Sequence, residues 1–301
     1  MDETSLQLRS ARRSYSIIGF GFVTLIAVVF AAQLGLSYLP VIPGLKGLTE
    51  STWWNWIVAF APMYLLAFPA CCLILKCIPA QKLEQRALTK KQFWMLLPIC
   101  FCLTYAGNLV GTLLSLIFSG GEAMNPLNDY AMDQSPLKIL VMVILAPLLE
   151  ELICRKLIID RTVRYGEKVS VLMSGLIFGL LHQNLFQFFY AFAVGCLFAY
   201  VYIRTGRLRY TVALHGIINF LGAVIAPLIL SIMPEGALTG TVTENALNDV
   251  KELLAMMLVS AYSMLQMGLA VFGLVLLILK RRSLIWKESQ LPDPLRSKQH
   301  C

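Results

Sequence analysis

The sequence predicts an all-α, polytopic membrane bundle of about eight transmembrane helices, and three observations predict it. The first is composition: 301 residues that are 58% hydrophobic and 14% charged, with a mean hydropathy of +0.71, leave no polar stretch long enough for a water-soluble domain. The second is a series of apolar runs of about 20 residues, the length that crosses ~30 Å of hydrocarbon as a helix. The third is the distribution of Lys and Arg, which cluster after every second run as the positive-inside rule requires. The net charge of +8 has its source there, so the expected partner is the lipid bilayer and not nucleic acid.

Taken in order, Arg9, Arg12 and Arg13 precede a first span from Ser16 to Tyr38, too long for the core of a signal peptide. A Pro/Gly turn from Pro40 to Glu50 leads to Trp53, Trp54 and Trp56, an aromatic group suited to headgroup level, and a second span runs to about Lys76. The next loop is basic, with Lys82, Arg86, Lys90 and Lys91. A third span, Phe93 to Phe118, stops at Ser119-Gly120-Gly121. The loop beyond it holds Glu122, Asp129 and Asp133, with no basic residue before Lys138.

A fourth span, Leu137 to Ile159, is followed by Arg161, Arg164 and Lys168. The fifth apolar segment, Val169 to His182, is short for a crossing, and Gln183-Asn184 separates it from a sixth, Leu185 to Ile203. Arg204, Arg207 and Arg209 precede a seventh, Tyr210 to Met233. An acidic loop with Glu235, Glu244, Asp249 and Glu252 leads to an eighth, Leu253 to Leu279, which exits into Lys280, Arg281 and Arg282. With both termini cytoplasmic, about 22 of the 25 Lys and Arg fall on the cytoplasmic side, leaving Lys46, Lys138 and Lys251 outside. No internal repeat is visible, and residues 1–301 read as one membrane-embedded domain.

Eight cysteines raise the question of disulfides or metal. Seven of them, among them Cys71, Cys72, Cys100 and Cys154, lie in or beside apolar spans, lack paired CxxC spacing and read as small hydrophobes. Cys301 is terminal and does not stand where a prenylation box would need it.

The residues that call for a chemical reason are Glu150, Glu151 and Arg155, set deep in the fourth apolar run. A lipid-embedded acid costs roughly 2.5 to 3.5 kcal/mol on insertion scales unless it is paired or wet. On a helix Glu151 and Arg155 stand four apart and neutralise each other, whereas Glu150 is rotated about 100° away and left free. Pro147 lacks an N–H, so the helix is expected to kink just before the acids and admit water.

Two of the three histidines, His182 and His215, also sit in apolar segments, with Phe178 four residues before the first and Asn219 four after the second. Each alone is explained as a side chain tied to a neighbouring carbonyl, and Asn219 as interhelical glue. Together with Glu150 at comparable depth they resemble a hydrolytic site: a carboxylate to take a proton from water, an imidazole to share it, donors for an oxyanion. The same Glu150, His182 and His215 could instead bind Zn²⁺ with water in the fourth position. No HExxH and no GxSxG occurs, which disfavours a zincin helix and a nucleophile-elbow serine hydrolase.

Glu150-Glu151-Leu152-Ile153-Cys154-Arg155 reads as EExxxR, Phe178 to His182 as FxxxH, and His215 to Asn219 as HxxxN. In this order on consecutive membrane helices they resemble the CPBP intramembrane protease family, which includes the type II CAAX prenyl endopeptidases. The motifs cover about Ala146 to Asn219, within a core of about 137–233. The resemblance implies an eight-helix fold around a conical cavity in which a peptide bond is hydrolysed. Glu150 would then activate water with His182, while His215 and Asn219 hold the oxyanion and Glu151, Arg155 and Phe178 support the site. The family is labelled a metalloprotease by convention, but a glutamate-dependent mechanism needing no metal has been argued for its prenyl-protease branch, and that is the preferred expectation here.

Nothing in the sequence marks a prenylated substrate, so the substrate expected is a peptide or protein, lipidated or not. The rival class is a proton-coupled transporter or immunity-type scaffold, in which the buried Glu and His form a relay or packing network. A transporter would show broken helices in two repeated halves, and only Pro147 is a clear break. A bacterial plasma membrane is the expected location, with the endoplasmic reticulum as the alternative.

Overall fold

A computed structural model of the chain describes residues 3–42, 44–49, 51–126, 130, 132–133, 135–232 and 250–287. Asp129, Glu235, Glu244, Asp249, the end of the seventh span at Met233, and the tail with His300 and Cys301 lie outside the described residues.

Among the described residues eight long helical elements follow one another, with short helical turns between and after them, and there is no strand. α1 is Glu3–Ser37. α2 (residues 52–75) joins Thr52–Ala61, a π-helical turn at Pro62–Ala67, and Phe68–Leu75. α3 is Lys90–Ser119. α4 (residues 139–162) alternates π turns at Ile139–Leu145 and Leu152–Leu157 with α segments Ala146–Glu151 and Ile158–Thr162. α5 is Glu167–Leu181 and α6 is Leu185–Thr205. α7 (residues 208–230) joins Leu208–Phe220, a π turn at Leu221–Ile225, and Ala226–Leu230. α8 is Val250–Lys280.

Six helices among the described residues are individually long and apolar enough to cross a membrane, and they correspond to α1, α2, α3, α6, α7 and α8. The other two expected crossings are built differently. α5 has 15 residues, a rise of about 22 Å, and α4 is a run of short pieces of alternating pitch. The all-α membrane bundle therefore stands, and the two helices of unusual build are the ones that carry EExxxR and FxxxH.

The pitch changes have a common physical cause. Three of the four π turns end two residues before a proline: Ala67 before Pro69, Leu145 before Pro147, Ile225 before Pro227. A helical proline donates no hydrogen bond and its ring collides with the carbonyl four residues back. A wider turn moves that carbonyl aside, and the residue before each proline bonds five back instead, Ala146 to Val141 and Ala226 to Leu221. The expected kink at Pro147 is thus realised as a π turn ahead of it.

Small residues set the helix spacing. A Cβ on Gly107 or Gly111, one turn apart on α3, would run into the backbone of Tyr190 or the carbonyls of Leu185 and Phe186, so α6 packs with backbone close to backbone. A core of Ile18, Leu25, Cys71, Leu75, Ile158 and Ile177 fills the bundle towards the basic end. That end is closed by residues 79–89, which lack regular structure and run across the helix ends. Gln81 donates its N–H to Asp160 O at 2.6 Å, Arg86 to Thr205 O at 2.8 Å, and Arg161 Nε donates to Leu75 O at 2.7 Å. The strap ends in a capping box, Thr89 with Gln92, that starts α3. α3 stops where Gly120 takes a left-handed φ of 65°, the boundary the Ser-Gly-Gly signal predicts.

Candidate active site

Adjacent acids on α4 enter opposite surroundings. Glu151 and Arg155 are completely buried and joined by two bonds, Nε to Oε2 at 2.8 Å and Nη2 to Oε1 at 3.1 Å. Arg155 Nη1 donates to Ser174 Oγ at 2.6 Å, and that hydroxyl donates on to Cys154 O. The guanidinium carbon lies 4.9 Å from the centre of the Phe178 ring. Both oxygens of Glu151 and all three nitrogens of Arg155 are bonded to protein, the condition under which a buried pair is tolerated.

Glu150 faces a cavity of about 480 Å³. Tyr64, two residues into the π turn of α2, donates its hydroxyl to Glu150 Oε1 at 3.0 Å. The other oxygen, Oε2, lies 3.9 Å from His215 Nε2. The far side of the same imidazole reaches the buried pair, with Nδ1 3.3 Å from Glu151 Oε1, a contact in electrostatic range rather than an aligned hydrogen bond. His215 therefore stands between the two acids.

His182, at the end of α5, has its Nδ1 2.9 Å from Phe178 O. A carbonyl only accepts, so Nδ1 carries the hydrogen, and in the neutral ring Nε2 is the bare nitrogen. Phe178 meets both imidazoles edge to face, at centroid distances of 5.2 Å to His182 and 5.4 Å to His215. The next residue, Gln183, has φ of 56°, a left-handed conformation rare for a non-glycine residue and concentrated at functional sites. Asn184 then caps α6 by accepting from Gln187 N, and its amide donates to His182 O at 2.7 Å.

Asn219 donates to Met142 O at 2.8 Å. Met142 is five residues before Pro147, so its carbonyl is the one left without a donor when the π register meets the proline. Asn219 supplies that donor across the helix interface, and the interhelical role expected for it has a definite partner. One amide hydrogen remains for the cavity, which Asn219 also lines.

All seven residues singled out in the sequence thus occupy one region. Glu150, Glu151, Arg155, Phe178, His182 and His215 are linked by direct contacts, while Asn219 lines the same cavity and is tied to the backbone carbonyl of Met142. Sequence reasoning missed Tyr64 and Ser174. Tyr64 carried a signal: a phenol in mid-span rather than at headgroup level is a polar group in want of a partner.

The donor set can be tested against zinc. A tetrahedral ion with bonds of ~2 Å spaces its ligands about 3.3 Å apart. Glu150 Oε2 and His215 Nε2 are 3.9 Å apart, and among the described residues no group of three His, Cys, Asp or Glu converges on a point where an ion could sit. As arranged, the residues do not fit the ion, and no chemical step is routed through it.

Residues 133–221 match the family described as Rce1-like, Type II CAAX prenyl endopeptidase Rce1-like. A protein of Bacillus subtilis (strain 168) named "Putative membrane peptidase YdiL" is 29% identical over 167 residues, 51% of this chain and 67% of that protein. No solved structure matches the chain. The matched segment runs from the loop before α4 into α7 and so contains EExxxR, FxxxH and HxxxN. Cavity, motifs and match coincide on one stretch: residues 133–221 of this polytopic helical membrane protein are similar to the Rce1-like family, and the same region carries the cavity.

Proposed function

We propose that the chain is an endopeptidase that hydrolyses a peptide bond of a membrane-embedded or membrane-proximal polypeptide, with Glu150 as general base. The observation that carries this reading is the 3.9 Å gap between Glu150 Oε2 and His215 Nε2, open to the cavity, while Tyr64 occupies the other carboxylate oxygen. A water in that gap gives one hydrogen to each acceptor, so its lone pairs point into the cavity towards a bound carbonyl. Glu150 takes the proton as the water attacks.

The distances favour His215 as the partner of Glu150 in holding water, a task the family resemblance assigns to His182. His182 offers its bare Nε2 to the same cavity, where it accepts the proton that Glu150 has taken from water and passes it to the leaving amine. The free amide hydrogen of Asn219 polarises the carbonyl oxygen as it becomes an oxyanion. Glu151 and Arg155 do no chemistry; they fix the far side of His215 and the rotation of α4. The reaction as written uses side chains and water alone. Its setting is a bacterial plasma membrane with both termini cytoplasmic, and its substrate a peptide or protein, lipidated or not.

The test compares the membrane proteome of cells carrying the wild-type chain with that of cells carrying Glu150→Gln. A polypeptide that accumulates uncut in the variant identifies substrate and bond together. Identical proteomes, with the variant present at wild-type level, would overturn the reading.

A further inference from the structure

We infer that the cavity opens on the membrane face opposite the basic loops, so that the bond cut lies on the extracytoplasmic side, inside an exported, membrane-anchored polypeptide and not at a free C-terminus. The substrate clause rests on the hydrolytic reading above; the direction of opening does not.

Direction follows from where each helix contributes to the cavity. α1 lends Gln33, near its end at Ser37; α2 lends Ala59 to Tyr64, from its first half; α5 lends Phe178 and Leu181, its last residues. α6 contributes from Gln187 to Phe198, nearer its start than its end at Thr205, and α7 contributes from His215 onward but nothing from its first turn. Pro126 and Tyr130, from the loop after α3, complete the lining. In the alternating topology most of these positions lie in the half of the bundle away from the Lys- and Arg-rich loops, while Phe198 and His215, in the half nearer those loops, lie deepest. At the other end Cys154, Arg155, Ile158, Ile159 and Thr162 are buried, and the strap of residues 79–89 crosses beneath them. The cavity is therefore blind towards the basic face, and basic loops mark the cytoplasm.

The charge of the lining argues against a chain end as substrate. Among the described residues no Lys or Arg lines the cavity, and Arg155 is bonded to Glu151 and Ser174. A substrate cut three residues from its C-terminus would carry a carboxylate within about 10 Å of the scissile bond, on the length of an extended chain. That anion would lie near Glu150, a like charge, without a cation to pair with. An internal bond brings no such charge.

Two measurements decide the matter, both on the full chain in its membrane. With Cys77→Ser and Cys301→Ser as background, Pro126→Cys should react with a membrane-impermeant maleimide in intact cells, and Lys91→Cys only in inverted vesicles. The reverse pattern overturns the direction of opening whether or not any substrate is found. New termini mapped in the Glu150-dependent proteome should fall on the outer side of membrane-anchored proteins; termini a few residues from cytoplasmic C-termini overturn the substrate class. If Pro126→Cys labels from outside but no new terminus depends on Glu150, the hydrolytic reading fails and the direction stands.

Discussion

Glu150 and Glu151 are sequence neighbours on one helix, yet the protein treats them as different materials. Around Glu151 both carboxylate oxygens are bonded by protein: Arg155, Ser174 and the backbone of Cys154 form a fully buried unit that does not itself line the cavity. Around Glu150 one oxygen is held by Tyr64 and the other faces His215 across 3.9 Å. A rotation of about 100° per residue is enough to put one acid in the packing and the other in the cavity. The lesson is that a pair of buried acids need not share a role, and that the satisfied acid can be the scaffold for the unsatisfied one.

Substitution should separate the two most sharply at the acids and their partner. Glu150→Gln keeps the shape but cannot accept a proton, so turnover should fall about 10² to 10⁴-fold, the typical contribution of a general base, with unchanged folded protein. Arg155→Ala strands a fully buried carboxylate, an effect of about 3 to 5 kcal/mol, and should lower the amount of folded protein extracted in mild detergent. The comparison breaks if Glu150→Gln unfolds the protein or Arg155→Ala leaves it at wild-type level.

Asn219 belongs to both sides of the division, since its amide donates to Met142 O and the residue also lines the cavity. Asn219→Ala should lower kcat by about 10² to 10³ with little change in KM if the cavity-facing hydrogen meets the oxyanion. A loss confined to thermal stability, with kcat intact, would assign Asn219 wholly to the helix interface. Tyr64→Phe removes one bond to the carboxylate and nothing from the packing. A hydrogen bond to a charged group is worth about 1.5 to 3 kcal/mol, so a reduction of roughly tenfold or somewhat more in kcat is expected from the looser Glu150.

Much of this was legible in the sequence because hydropathy and charge report on the bilayer directly. Apolar length located the spans, Lys and Arg gave their alternation, and the four-residue spacing of Glu151 and Arg155 gave their bond. The π turns were not legible, although the prolines that provoke them were. Whether a helix answers a missing donor by kinking or by widening depends on what the neighbouring helix offers, here Asn219 to Met142 O. Nor could the contact of His215 with both acids be read, since it joins residues more than sixty positions apart. Tyr64 reaches Glu150 across 86 positions, and only packing brings them together.

The smallest effect expected is that of a chelator, and it tests the open side of the comparison alone. If zinc were held by Glu150, His182 and His215, removing it would abolish turnover and returning it would restore it, because the metal would both acidify the water and polarise the carbonyl. Each candidate ligand is oriented through one atom and keeps another for the cavity, so the spacing of those free atoms is what decides. Glu150 Oε1 receives Tyr64, His182 Nδ1 meets Phe178 O, and His215 Nδ1 turns to Glu151, while the spacing of the remaining Glu150 and His215 atoms exceeds that of tetrahedral ligands. Asparagine is a poor zinc ligand beside histidine and carboxylate, so Asn219 fits a donor to an oxyanion better than a fourth coordinating atom. Exhaustive chelation of the purified protein should therefore leave turnover within about twofold, with far less than one metal per chain by elemental analysis. Stoichiometric zinc whose removal and return switches activity off and on would mean that the cavity side chains rearrange around an ion, and would reassign Glu150 from base to ligand.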